Sequence, residues 1–207
     1  MNRVVAALAL IGLLLFGQGA YIQAKALLAQ VLLQRAFAET VATGHPTKPW
    51  SWADTWPVAR IEVARLRAST IVLAGSSGQA LAFGPGHLEL TPHAGERGTA
   101  VYSAHRDTHF SFLKNVAVGD EIAVTRSDGG RFRYRVDTTS VVRFDASGID
   151  PLTEGYELVL STCWPFDAIT PGPQRYLVHA TMIGSDHSYT NALSSRSIFG
   201  NSSFSTQ

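Results

Sequence analysis

The chain has 207 residues, with 17 Lys and Arg against 16 Asp and Glu, so its net charge is only +1. No basic run is interleaved with aromatic residues, which argues against nucleic acid as a partner. Eighteen glycines and nine prolines, with many Val, Thr and aromatic residues, fit one β-rich domain that holds a core without disulfides or metals.

Residues 4–24 carry no charge, and 4–16 are almost wholly aliphatic. A spanning helix needs about 20 apolar residues, whereas the apolar core of a cleaved signal peptide is about 7–15. Gly17-Gln18-Gly19 offers only a weak cleavage site, and helix-friendly sequence continues through Leu27, Leu28, Val31 and Leu32. Residues 1–24 are therefore expected to be an uncleaved membrane anchor. Arg3 precedes this stretch and Lys25 and Arg35 follow it, so the positive-inside rule leaves its orientation undecided. The periodicity predicts helix over 20–40, ended by Gly44, Pro46 and Pro49. The segment Pro49-Trp50-Ser51-Trp52-Ala53-Asp54-Thr55-Trp56-Pro57 holds three of the four tryptophans. Its prolines favour an extended arm that packs its rings on the domain surface. Helix and arm together make a unit over 25–58.

Strand signals dominate from residue 59. Residues 59–63 alternate, 70–73 form a buried-type run, and 75–78 read as a turn before Leu81-Ala82-Phe83, which runs into Gly84-Pro85-Gly86. A strand over 98–104 leads to His105. Residues 121–125 and 131–142 read as a hairpin turned at Asp128-Gly129-Gly130. Phe132, Tyr134 and Val136 alternate with Arg131, Arg133 and Arg135, which buries one face and solvates the other. Residues 158–163 and 176–183 supply two more strands. Short strands with Gly/Pro turns and little helix imply a mainly β domain over 59–185, a barrel or sandwich. The polar residues 186–207 are expected to form a disordered tail.

Cys163 is the only cysteine. Behind an apolar anchor the compartment is expected to be oxidising, and a lone thiol there has no internal disulfide partner. It follows an apolar strand and precedes Trp164-Pro165-Phe166, and Ser161 and Thr162 are polar where a core strand needs no polarity. These features favour a nucleophile over a buried hydrophobe. A thiol is mostly protonated at neutral pH, so catalysis needs an imidazole or cation beside it. His105 offers an imidazole for proton transfer. The spacing His105-x-Asp107-x-His109 also admits a metal reading if alternation on a strand puts all three on one face, but no further cluster of matching spacing supports it. Arg175, at the head of a strand, carries a planar five-donor fork suited to a developing oxyanion.

Leu160-Ser161-Thr162-Cys163 resembles the L-x-T-C signature of sortases, the cysteine transpeptidases that attach proteins to bacterial surfaces. Residues 101–105 are similar to that family's histidine strand. Phe110-Ser111-Phe112-Leu113 with Gly119-Asp120-Glu121-Ile122 resembles its F-x-x-L…G-D-x-I stretch, and Arg175 stands at the family arginine. The resemblance covers 59–183, with Ala104 where many members have glycine and no recognisable calcium-binding acidic loop. The tryptophan arm and Cys-Trp-Pro-Phe look most like the proteobacterial class GN subgroup. The resemblance implies a sortase-type eight-stranded β-barrel behind a transmembrane helix, in the cell inner membrane with a periplasmic catalytic domain. It implies an LPXTG-like C-terminal sorting signal on a secreted protein, an amine acceptor, and no cofactor. Cys163 is implied as nucleophile, His105 as acid and base, Arg175 as oxyanion partner, and Thr162 and Trp164 as substrate-binding neighbours. The same residues are also compatible with a hydrolytic cysteine peptidase or a non-catalytic peptide-binding barrel.

Overall fold

The structure, a computed structural model, describes residues 2–186; apart from Asp186, the expected polar tail lies outside the described residues. The chain begins as one unbroken helix, α1 (Asn2–Thr43), so the expected anchor and the helix after it are a single element. It stops at Gly44, whose φ of +72° is the left-handed conformation that favours glycine after a helix. The apolar stretch of α1 is long enough to cross a membrane, and Leu8, Leu13, Leu14, Leu15 and Phe16 contact little else in the protein. Burial begins at Ala29. Leu33, Ala36, Phe37 and Thr40 continue that face at helical spacing, and Leu33 and Phe37 pack on Ile71, Leu73 and Ala80. Gln30 Nε2 donates to the Phe83 carbonyl at 2.8 Å, and the Arg60 guanidinium lies 4.9 Å over the Phe37 ring.

Eight strands follow: β1 (Pro57–Val63), β2 (Ala68–Leu73), β3 (Gly86–His87), β4 (Gly98–Ser103), β5 (Glu121–Arg126), β6 (Arg131–Arg143), β7 (Tyr156–Cys163) and β8 (Gln174–Asp186). They close a barrel in the order β1-β2-β3-β4-β7-β8-β6-β5, which leaves no open sheet edge. The β5–β6 hairpin turns where the sequence predicts, with Gly129 at φ +85°. The central β4–β7 pairing is parallel, a geometry that requires a long crossover; the β5–β6 hairpin lies within it. Ala100, Tyr102, Leu158, Leu160, Val178 and Ala180 point into the barrel and share one core with Ile61, Ile122 and Tyr134.

Two local expectations change. Leu81-Ala82-Phe83 lies in a short helix, α2 (Gly78–Phe83), not in a strand. Ser77 caps it by accepting from the Ala80 N–H at 3.2 Å, and a run of three apolar residues is too short to oppose a cap followed by alanine and leucine. In the arm, Trp50 packs edge-on against Phe83 at 4.9 Å, whereas Trp52 is 83% exposed.

Asp120 joins distant segments. Arg65 donates Nε to Oδ1 at 2.5 Å and Nη2 to Oδ2 at 2.6 Å, and the Ala117 N–H donates to Oδ2 at 2.9 Å. The Arg65 hydrogen bonds hold the Asp120 carboxyl below its usual range, against opposition from burial. A depressed carboxylate favours the native state above its unfolded value of about 3.9, and that benefit fades as pH falls through the lower folded value. Asp120→Asn should lower Tm at pH 7 by about 2–4 °C, the shift expected for one ordinary interaction in a domain of this size. Thermal scans of both proteins should converge as the pH is brought below about 3.9.

Candidate active site

Strand register places the predicted residues. In the β4–β7–β8 sheet, Val101 pairs with Val159, and Val159 with His179. The next outward-facing row is Ser103, Ser161 and Leu177, and the row after that contains Cys163 opposite Arg175. Side chains alternate across a sheet, so these rows share the outer face while Leu160 and Thr162 face the core. Directly opposed residues have Cβ atoms about 4.5–5.5 Å apart, which sets Cys163 and Arg175 side by side. β4 ends at Ser103, but the Ala104 N–H still donates to the Ser161 carbonyl at 3.2 Å. Thr162 Oγ1 donates to the Ala104 carbonyl at 2.7 Å. These bonds keep the chain in step one residue past the strand, so His105 emerges level with Cys163 on its other side.

Each of the three is held differently. Cys163 is half-buried at the end of β7. Just after it, the Trp164 N–H donates to the Gln174 carbonyl at 3.1 Å, and Trp164 stacks on Tyr176 at 5.6 Å with Phe166 edge-on to both. His105 is exposed, and its carbonyl accepts from the Phe110 N–H at 3.2 Å. Arg175 Nη1 donates to the carbonyls of Gly172 at 3.0 Å and Gln174 at 2.9 Å, and its guanidinium lies 5.7 Å from the centre of the Phe144 ring. Among the described residues its Nε and Nη2 bond to nothing, which leaves three N–H donors for a ligand.

Thr162 departs from expectation. It is 1% exposed and bonds Ala104 from inside the barrel, so it cannot line a groove on the outer face. The polar residue that suggested a site is a brace between the strands of His105 and Cys163. Trp164 is half-buried in its ring stack beside Cys163. The face shared by His105, Asp107 and His109 does not form, because residues 106–110 are turns and do not alternate. His109 is partly buried, and burial lowers its imidazole pKa; a backbone bond at Ala82 opposes this, and nearby His105 adds to it.

Two rows from Cys163 on the sheet, at Val101, lies a groove of about 620 Å³, lined by Leu88, Leu90, Thr91, Val101, Ile149 and Pro151 among others. Val101, Val159 and Leu177 form an apolar patch on the outer face, packed against Leu88, Val142 and Ile149. The β6–β7 segment is tied to β4, because Thr99 Oγ1 donates to the Asp150 carbonyl at 2.7 Å and the Gly98 N–H to the Gly155 carbonyl at 2.8 Å. Gly98 has φ +114°, and a Cβ there would meet the Pro151 carbonyl oxygen at 2.3 Å, so only glycine permits this approach. A thiol with an imidazole and a guanidinium as neighbours can take up an acyl group from a carbonyl substrate.

The family model for the sortase domain matches residues 61–183. The chain belongs to the sortase family. It is 31% identical to Sortase D of Bacillus subtilis (strain 168) over 124 residues, 59% of this chain and 62% of that protein. It therefore spans less than two thirds of that relative. Sortase E from Streptomyces avermitilis superposes with a TM-score of 0.53 at 29% identity, over 63% of this chain and 90% of that one. A sortase D5 transpeptidase of Clostridium perfringens shares the fold, with a TM-score of 0.59 at 23% identity over 75% and 96% of the two chains.

Within this sortase barrel, sequence reasoning found the three outer-row residues but missed what steadies them. Phe144 under Arg175 follows an exposed strand end and carries no local signal. Arg106 is 7% exposed, although an arginine in the polar run after His105 reads as a surface group.

Proposed function

We propose that this sortase is a membrane-anchored cysteine transpeptidase acting on an LPXTG-like C-terminal sorting signal of a secreted protein. One observation carries the reading: on the outer face of the barrel Cys163 stands opposite Arg175, its register partner on β8, and next to the segment that carries the chain from β4 to His105. The Cys163 thiolate attacks the Thr carbonyl of the signal, forming a C–S bond and a tetrahedral oxyanion. Arg175 holds that oxyanion, or the backbone next to it, through the donors its carbonyl contacts leave open; preorganised donors act where charge develops. As the C–N bond breaks, His105 as imidazolium gives its proton to the leaving amine, and the acyl group stays on sulfur as a thioester. An incoming amine attacks the thioester, His105 takes a proton from it, and the thiolate is released as the new amide forms. Trp164 is proposed to border the signal beside Cys163.

The tryptophan arm and the Cys-Trp-Pro-Phe sequence support membership of class GN, and with it an inner-membrane anchor and a periplasmic barrel. The corresponding division is an anchor over 1–24, helix and arm over 25–58, the catalytic barrel over 59–185 and a polar tail over 186–207. The test is incubation with a fluorogenic LPXTG-like peptide and an amine, with mass spectrometry of the products. A ligated peptide is expected. Cleavage with only water as acceptor would make the protein a cysteine peptidase, and binding without cleavage a peptide-binding barrel.

A further inference from the structure

Arg106 directly follows His105, yet its side chain is only 6% exposed. Its Nη2 donates to the carbonyl of Ala168 and, at 3.4 Å, to that of Thr170. Both carbonyls belong to the loop over 164–173, which joins Cys163 at the end of β7 to Gln174 and Arg175 at the start of β8. Among the described residues neither carbonyl has another partner. Nε faces Asp107 Oδ1 at 3.5 Å, and neither Nε nor Nη1 makes a hydrogen bond. A guanidinium stays charged in any protein setting, and a buried charge with open donors is a costly way to pack a loop. That cost points to a role beyond packing.

The strand ladder leaves such a role open. The last β4–β7 pair is Ser103 with Ser161, and the Thr162 bond fixes the chain only as far as Ala104. His105 therefore lies between two points of attachment: the Ala104 carbonyl before it and the Arg106 side chain after it. The loop end at Cys163 is held by Trp164 and its ring stack, but Ile169 at the far turn is fully exposed. Arg106 bonds the residues on either side of Ile169.

We propose that Arg106 is a positioning residue of the acyl-transfer site: its buried fork ties the segment carrying His105 to the loop between Cys163 and Arg175, and so sets their alignment. This rests on the transpeptidase reading above. The expected signature is a loss in kcat, because misplacing reacting groups by about 1 Å from a distance costs about 10²-fold.

The test compares Arg106→Met and Arg106→Lys with wild type in the full chain. In Arg106→Met, amide exchange over 164–173 should speed up. Its kcat for sorting-peptide ligation should fall about 10²-fold, with KM moving less than about threefold, the mark of an interaction realised in the transition state. Alkylation of Cys163 by iodoacetamide should stay near wild type, because the thiol is intact. Arg106→Lys keeps the charge but is a point donor on a flexible stem, so it should restore folding more than kcat. Unchanged exchange over 164–173 would overturn the tie, whatever the activity. Faster exchange with wild-type kcat would overturn the positioning role, as would an effect confined to KM. If Arg106→Met does not fold, a folded Arg106→Lys with full kcat overturns the proposal. A wild-type protein that never ligates refutes the transpeptidase reading instead, and the exchange measurement still decides the tie.

Discussion

Cys163→Ala should abolish ligation of a sorting peptide while the melting temperature stays close to that of wild type. The substitution removes one sulfur from the outer face at the end of β7, where the side chain is only half-buried, and leaves the pairing with Arg175 intact. Little core volume is lost, so no cavity forms in the barrel. The chemical loss is complete, because no other group in the row can form the acyl bond. Removing the nucleophile from a site that works as a unit costs on the order of 10⁴-fold or more. Retained turnover of a fluorogenic sorting peptide by this variant would sink the assignment, whereas unfolding would move Cys163 into the core.

His105→Ala should be nearly as damaging, with a loss of about 10²–10⁴-fold, the usual contribution of a positioned acid and base. His109→Ala provides the control. His109 is near enough to His105 to feel its charge, and burial disfavours its imidazolium, so it is the poorer proton donor. It also lies on the turn over 106–110, beyond the register that aligns His105 with Cys163. The two variants should therefore differ widely in kcat while folding alike. Equal losses, with zinc copurifying in wild type, would restore the metal reading of these histidines.

The barrel was legible where its strands carry the alternation that a one-sided sheet imposes, or an apolar run bounded by turns. Phe132, Tyr134 and Val136 show that pattern, and they lie inward as expected. β3 was not legible, because two residues hold no period. α2 was missed because its cap and composition outweigh a three-residue apolar run. At the site, Cys163 and Arg175 were found one at a time, and their adjacency is a property of β7–β8 register that no local window contains. Thr162 shows the opposite error. A polar residue in an apolar strand was read as a sign of function, when its hydroxyl satisfies a backbone carbonyl inside the core. Arg106 was passed over because side chains of its type are rarely buried. Only the fold shows where its fork ends.

If α1 anchors the protein as proposed, its unbroken course governs how the barrel meets its partners. A disordered tether of n residues lets its cargo roam by roughly 5–6 Å × √n and turn freely. Here the helix leaves the proposed span at residue 24 and is pinned to the barrel from Ala29, an interval of about 7.5 Å at 1.5 Å per residue. With the span in a bilayer, the barrel stands on a mast and not on a leash. The row of Cys163 and Arg175 then keeps a set height and heading above the lipid, and it samples new positions only as the whole protein drifts sideways or the mast tilts. Under the proposed function, encounter becomes a search in two dimensions, with the sorting signal and the amine both brought to that one plane.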